Sequence, residues 1–116
     1  MPTRLTKILL FFMFSAFLLM GCTETDPVIK DIRLQGKLIV LTLNTPTTYY
    51  LGANESPAGY EYDLTKALAD SLNVEVEYKI ADNIEKMLQA INEGQAHIAA
   101  AGLTRTEARE QKYVFG

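Results

Sequence analysis

The residues whose types and spacing best suit binding chemistry lie in one stretch of the 116-residue sequence, from Gly102 to Arg109. Thr104 and Glu107 have the Ser/Thr-x-x-Glu spacing of a capping box, in which each side chain satisfies an unpaired backbone N–H at a helix start. Arg109 adds a planar guanidinium that can hold a carboxylate through two parallel hydrogen bonds. Two interpretations follow: a capped helix with a solvated surface arginine, or a site that binds an anion.

A second group of candidate binding residues follows an earlier predicted strand. There Asn44 opens a loop that ends in Tyr49 and Tyr50. Aromatic rings with polar tips suit the wall of a ligand pocket, although either ring could equally cover the end of the core. Ligands of open α/β sheets bind where strands end and helices begin, and both candidate groups occupy such positions.

Other residues with chemical potential are better explained by structural roles. Glu61 and Asp63 lie at a predicted helix start, where the helix dipole favours negative charge, and no partner for proton transfer is nearby. His97 has no second histidine, cysteine or spaced carboxylate pair, so we expect a structural or surface role and no metal site. The sequence has no nucleophile elbow, phosphate-binding glycine loop or zinc-protease motif, so we identify no catalytic residue and no cofactor.

The elements that must position these residues alternate between strands and helices along the chain. This order predicts an α/β fold with a mainly parallel sheet and flanking helices. The apolar run 37–43 predicts a strand covered on both faces, and the alternating residues 74–79 predict a half-buried strand near a sheet edge. A third apolar run, residues 98–101, predicts the strand that leads into the Gly102 stretch.

Each predicted helix carries start or stop signals. Asp26, followed by a proline, can cap a short helix that ends at Gly36. Asp82 is expected to cap a later helix that ends at Gly94. The helix between these two has apolar residues at helical spacing that are expected to face the core. These residues are Leu64, Ala67, Leu68 and Leu72.

Length and charge limit the domain count and the class of partner. The length supports one domain at most, and the net charge is −3. Residues 1–21 carry two of the positive charges and no negative ones, so the remaining residues carry −5. An acidic balance argues against nucleic-acid binding and is compatible with small ligands and neutral polymers.

Residues 1–21 are predicted to be a secretory signal. Arg4 and Lys7 precede thirteen mostly apolar residues, fewer than the roughly 20 that span a bilayer. The segment ends in Leu-Met-Gly before Cys22, which resembles a bacterial lipoprotein signal whose cysteine becomes lipidated; an ordinary cleaved signal and a retained anchor helix are the alternatives. Cys22 has no intramolecular partner for a disulfide. The residue after it is not Asp, which favours the outer membrane.

Two blocks of the sequence resemble the family-3 periplasmic solute-binding proteins. Residues 59–64 match G-[FY]-x-x-D-L, and residues 102–109 match G-L-T-x-T-x-x-R. The resemblance covers residues 36–116 and departs from the family at His97, where an Asp is usual. It implies a periplasmic-binding-protein-like fold of which residues 37–116 are part of the first lobe, with residues 22–36 as a tether that contains a short helix.

The resemblance also implies a function for the candidate residues. Family members bind amino acids or related solutes in a cleft between two lobes. Thr104 and Arg109 match positions that hold a ligand α-carboxylate, and the loop from Asn44 to Tyr50 matches the one that covers the other end of the ligand. The expected ligand-binding residues are Asn44, Tyr49, Tyr50, Gly102, Thr104 and Arg109.

The tyrosine-containing loop, the block of residues 60–64 and the run of residues 100–104 are most similar to one branch, the membrane-bound lytic murein transglycosylases. In this branch a solute-binding module precedes a lysozyme-like domain that cleaves peptidoglycan, and the module is thought to regulate it. We expect the chain to be an N-terminal fragment, without second lobe or catalytic domain, of a lipid-anchored protein on the periplasmic side. Its ligands would be amino acids or muropeptide-like molecules. The alternative is a non-enzymatic lipoprotein receptor that delivers amino acids to an ABC importer.

Overall fold

The computed structural model describes residues 26–116, so the predicted signal segment and Cys22 lie outside the described residues. None of the helices within this range is long and apolar enough to cross a membrane. In chain order the elements are helix α1 (Pro27–Gln35), strand β1 (Lys37–Thr42), strand β2 (Tyr50–Leu51), strand β3 (Pro57–Ala58), helix α2 (Tyr60–Leu72), strand β4 (Glu75–Ile80), helix α3 (Ile84–Asn92), strand β5 (Ile98–Ala99) and helix α4 (Glu107–Glu110).

The main sheet has the order β4-β1-β5, and both pairings are parallel. Lys37 pairs with Glu75 at the start of β1, and Leu41 pairs with Ala99 near its end. The prediction of a parallel sheet with flanking helices is confirmed. Strands β2 and β3 form a separate antiparallel pair within the excursion between β1 and α2.

The core is built around β1, as its continuous apolar character predicts. Leu38 and Val40 are fully buried, and Leu41 on the opposite face is 5% exposed. The core also contains Ile32 of α1 and Ala69 of α2. Helices therefore cover the central strand, and the strand ends become the positions from which binding loops emerge.

Helix α2 turns a different face to the core from the one predicted. Leu64 and Leu68 are 55% and 42% exposed, and Ala67 is exposed as well, whereas Thr65 and Ala69 are buried. Leu72 does pack against the core. The predicted face was therefore wrong by about one residue for most of the helix.

The physical reason for the shifted face is the tyrosine that α2 must cover on β4. The Tyr78 hydroxyl lies 2.9 Å from Thr65 Oγ1 and donates to the carbonyl oxygen of Tyr62 at 3.1 Å. Thr65 Oγ1 in turn lies 2.7 Å from the carbonyl oxygen of Glu61. A small, hydrogen-bonding side chain fits beside this hydroxyl, and the orientation of the helix places Thr65 there.

Helix starts follow the predicted signals in one case and depart from them in another. The Asp26 carboxylate accepts from the backbone N–H two residues later, and α1 ends before Gly36, as predicted. At α3, however, Asn83 is the capping residue and accepts from the Lys86 N–H at 2.9 Å. Asp82 instead pairs with the Lys86 ammonium, and this hydrogen bond lowers the pKa of Asp82 below its usual value.

His97 joins α1 to the central sheet. Its Nδ1 accepts from the backbone N–H of Ile39 at 2.9 Å, and its Nε2 lies 3.2 Å from Asp31 Oδ2. The side chain of His97 is only 9% exposed. These contacts support the expected structural role, because the ring supplies the acceptor for an N–H of β1.

Replacing His97 with Leu is expected to weaken local stability at β1 by about 1–3 kcal/mol, because the Ile39 N–H loses its acceptor. Asn is the matched control, since its Oδ1 stands one bond from Cγ, as Nδ1 does in histidine. Hydrogen–deuterium exchange in the full-length protein measures the effect. We expect faster exchange at Ile39 in the Leu variant than in the Asn variant, and equal exchange in the two would contradict the role assigned to Nδ1.

Candidate functional site

The candidate binding residues leave the sheet from one edge, formed by the carboxyl ends of β1 and β5. Thr42 Oγ1 donates to the carbonyl oxygen of Ala100 at 2.7 Å, and the Ala100 N–H donates to the carbonyl oxygen of Leu41 at 2.8 Å. These bonds hold the last residues of the two strands side by side. The loop that begins at Asn44 and the segment that begins at Gly102 therefore start from adjacent positions.

The loop after β1 is held in shape by its own threonines. The buried Thr48 donates its hydroxyl to the carbonyl oxygen of Leu43 and lies 2.8 Å, oxygen to oxygen, from Thr45 Oγ1. The Thr45 N–H donates to the carbonyl oxygen of Tyr49, which closes the loop. Asn44, next to this closure, remains exposed. The loop thus presents Asn44 from a fixed backbone.

Carbonyl groups of this loop occupy the N–H groups at the start of α2. The Tyr60 N–H donates to the Thr47 carbonyl at 3.1 Å, and the Tyr62 N–H donates to the Thr48 carbonyl at 3.0 Å. Gly59 permits this approach: its φ is +135°, and an added Cβ would lie 2.3 Å from the Thr48 oxygen. The α2 start is therefore paired with protein atoms and offers no anion site of its own.

The two adjacent tyrosines of the loop have different surroundings. Tyr49 is half-buried and belongs to an aromatic cluster with Tyr62 and Tyr78, whose ring centroids are 5.1–5.9 Å apart. Burial raises the pKa of Tyr78, so its hydroxyl stays protonated at neutral pH. Tyr50, on β2, is 37% exposed. The position of Tyr49 agrees with the alternative that this ring covers the core, and Tyr50 has the more accessible ring.

Gly102 contacts an acidic side chain that sequence reasoning had assigned to a helix start alone. Its backbone N–H donates to Glu61 Oε1 at 3.0 Å, across 41 positions of the sequence. Glu61 is half-buried in the first turn of α2. Its membership of the block 59–64 was visible in the sequence, but its contact with Gly102 depends on the fold.

The predicted capping box between Thr104 and Glu107 is wrong. Helix α4 starts at Glu107, and Thr106 caps it by accepting from the Arg109 N–H at 3.4 Å. The non-helical segment that begins at Gly102 is therefore longer than predicted. Because Thr106 competes successfully for the cap, the Thr104 side chain stays exposed beside the sheet edge.

Arg109 folds back over this extended segment. Its Nη1 donates to the carbonyl oxygen of Thr104 at 2.9 Å, and the residue is half-buried. Within residues 26–116 no carboxylate forms an ion pair with Arg109. The neighbouring Arg105, in contrast, pairs with Glu110 and lies 5.8 Å from the centroid of the Phe115 ring. Arg109 thus has a fixed guanidinium whose charge is not neutralised by the described part of the chain.

The rest of the described chain provides weaker candidates for a functional site. Among residues 26–116 no group of three or more His, Cys, Asp or Glu side chains could hold a metal ion. An open cavity of 470 Å³ lies at the amino ends of β1 and β4, at the opposite edge of the sheet from the candidate residues. It is lined by Gly36, Asp70, Asn73, Val74 and Glu75.

The chain is similar in sequence and in fold to known proteins. The family described as bacterial extracellular solute-binding proteins, family 3, matches residues 38–116. The membrane-bound lytic murein transglycosylase F of Maricaulis maris is 37% identical over 120 residues, which cover 98% of this chain and 26% of that protein. The protein of the same name from Mannheimia succiniciproducens is 41% identical over 85 residues, or 73% of this chain and 17% of that protein.

A solved structure described as an ancestral cationic amino acid solute binding protein has a similar fold. It matches with a TM-score of 0.66 and 29% identity, over 72% of this chain and 37% of that one. The present chain spans about a quarter or less of the length of the two transglycosylases.

Proposed function

Because this chain belongs to the bacterial extracellular solute-binding proteins, family 3, we propose that residues 37–116 are part of a module that binds small carboxylate ligands. The ligand class is amino acids or muropeptide-like molecules. The module regulates a lipid-anchored peptidoglycan lytic transglycosylase, whose catalytic domain lies outside these residues. The observation that carries the ligand proposal is that the guanidinium of the half-buried residue Arg109 is bonded to the Thr104 carbonyl and lacks an ion-pair partner in the described part of the chain.

In the proposed binding mode, Arg109 holds the ligand carboxylate through its remaining N–H groups. The bond from Nη1 to the Thr104 carbonyl orients the guanidinium before a ligand arrives, which lowers the entropy lost on binding. The exposed Thr104 hydroxyl adds a second donor at the same end of the ligand. A charge-assisted, bidentate contact is strong and geometrically selective.

The remaining proposed ligand residues act on the other side of the ligand. Asn44 offers its amide to the ligand, and Tyr50 offers an accessible ring. Tyr49 instead packs against Tyr78 and thereby supports the loop. The N–H of Gly102 is already bonded to Glu61. Gly102 therefore contributes by having no side chain, which lets the ligand approach the backbone closely. The amino-acid class agrees with the name of the ancestral solute binding protein of similar fold.

The transglycosylase context rests on the names of the sequence relatives at 37% and 41% identity. Cleavage of peptidoglycan would need residues outside the present chain. Lipidation of Cys22 would hold the protein at the periplasmic side of the envelope, in the outer membrane. The second candidate is an amino-acid receptor of an ABC importer, which the likeness to the ancestral solute binding protein favours.

Two measurements on the full-length protein, taken together, separate the two candidates. A zymogram on murein is expected to show clearing if the protein is a lytic transglycosylase. A pure receptor has no lytic activity and would give no clearing. Titration calorimetry with single amino acids and a purified muropeptide is expected to show binding by the same protein. Binding without any clearing would favour the transport receptor, and clearing without any binding would remove the ligand-binding module from the proposal.

A further inference from the structure

A carboxylate and a guanidinium are each hydrogen-bonded to the same short segment at the proposed ligand site. Glu61 Oε1 accepts from the N–H of Gly102, and Arg109 Nη1 donates to the carbonyl oxygen of Thr104. Gly102 and Thr104 are two residues apart, so their Cα atoms are separated by at most about 7 Å. Opposite charges are therefore presented on the two ends of one short segment.

The Glu61 carboxylate has no cationic partner of its own. Within residues 26–116 its only side-chain hydrogen bond is the one to Gly102, and no Lys, Arg or His forms an ion pair with it. The bond engages Oε1 and holds the group half-buried against the end of β5. A carboxylate that is held in place and has no cationic partner can bind a complementary cation through charge-assisted hydrogen bonds.

The space beside this carboxylate is open. An added Cβ on Gly102 would have Glu61 Oε1 as its nearest neighbour, at 4.0 Å, and no other atom within that distance. A side chain at position 102 would fill this space. With glycine there, a ligand atom can approach the backbone and the carboxylate together.

We propose that Glu61 is a specificity-determining residue that binds the ammonium group of a ligand whose carboxylate lies on Arg109. This inference rests on the proposed function, because it uses the same ligand site and adds the charge class of the ligand. The module then selects ligands that carry both charges and rejects ligands with a second anionic group near Glu61, because like charges repel. The ammonium can belong to the α-carbon or to a side chain.

The test is calorimetry on the full-length protein with the substitution Glu61→Gln. Gln keeps an oxygen that can accept from the Gly102 N–H and removes only the charge. The probes are L-lysine, L-norleucine and Nα-acetyl-L-lysine, which carry both ammonium groups, the α-ammonium alone and the side-chain ammonium alone. We expect E61Q to weaken L-lysine binding by about tenfold.

The two other probes identify which ammonium is bound. A parallel loss for L-norleucine assigns Glu61 to the α-ammonium, and a parallel loss for Nα-acetyl-L-lysine assigns it to the side-chain ammonium. The matched control is Glu85→Gln, which neutralises an exposed glutamate in the first turn of α3 and should leave all affinities unchanged. Affinities within twofold of wild type for every probe in E61Q would overturn the inference.

Failure of the inference is distinguishable from failure of the proposed function. If E61Q binds as wild type does while Arg109→Ala loses affinity, the carboxylate site stands and the role of Glu61 is wrong. If the wild-type protein binds none of the three probes or the muropeptide, the proposed function fails, and the inference fails with it.

Discussion

Replacing Gly59 with Ala is expected to destabilise the protein by about 2–6 kcal/mol, the largest stability effect that we predict for a single methyl group. An added Cβ would lie 2.3 Å from the oxygen and 2.7 Å from the carbon of the Thr48 carbonyl. Both atoms belong to the backbone, so neither can rotate away. The φ of +135° adds conformational strain for any residue with a side chain.

The substitution Gly59→Ala is also expected to disturb the binding loop after β1. To relieve the contact, α2 must move away from the loop and release the bonds from the N–H groups of Tyr60 and Tyr62. We expect a lower melting temperature by circular dichroism and reduced ligand affinity in the folded fraction. The matched control is Gly94→Ala, where φ is +71° but an added Cβ would have no neighbour within 4 Å.

Comparison of these two variants separates the ordinary cost of a positive φ from the combined effect of the close contact and the glycine-only backbone at Gly59. Gly94→Ala should cost about 1 kcal/mol, since only the positive φ is unfavourable. A melting temperature for Gly59→Ala that equals that of Gly94→Ala would show that neither the carbonyl contact at Thr48 nor the unusual backbone of Gly59 matters. A larger loss for Gly59→Ala would support its role in joining the loop to α2.

Replacing Arg109 with Ala is expected to weaken ligand binding by about 1.5–3 kcal/mol, or roughly 10- to 150-fold in Kd. The reason is the loss of a charge-assisted contact to the ligand carboxylate in a half-buried position. Calorimetry on the full-length protein, with L-lysine as the probe, measures the change. The fold should persist, because within residues 26–116 the Arg109 side chain makes one hydrogen bond, to the Thr104 carbonyl.

The same segment provides the control for Arg109. Arg105→Ala removes an equal charge four residues away, from a side chain that pairs with Glu110 and lies near Phe115. We expect Arg105→Ala to keep the wild-type affinity. Equal losses in the two variants would indicate a general electrostatic effect, and an unchanged affinity for Arg109→Ala would exclude it as the carboxylate anchor.

Part of the candidate site was accessible to sequence reasoning because its signals are local. Arg109 follows a strand and lies within a recognisable block, so its position at the sheet edge could be expected. The capping residues were less accessible. Asp82 and Asn83 are adjacent and both can cap a helix, and Thr104 and Thr106 compete in the same way, so small differences in backbone path decide which one accepts the bond.

The buried face of α2 shows a different limit of prediction from sequence. Spacing alone placed Leu64 and Leu68 in the core, but the hydroxyl of Tyr78 on β4 needs a polar partner from α2, and the buried Thr65 provides it. The spacing of apolar residues in a helix carries no information about the side chains of the strand that the helix covers. Sequence periodicity therefore identified the helix correctly and its orientation only approximately.

The sequence by itself determined the alternation of the three main strands with the helices, the parallel character of the sheet and the central position of β1, because these depend on apolar runs that act within a few positions. Only the tertiary structure decided the contacts between distant residues: His97 with Ile39, Gly59 with the Thr48 carbonyl, and Glu61 with Gly102. Such contacts form when separate segments reach the same edge or face of the sheet, and their geometry depends on packing that no local pattern encodes.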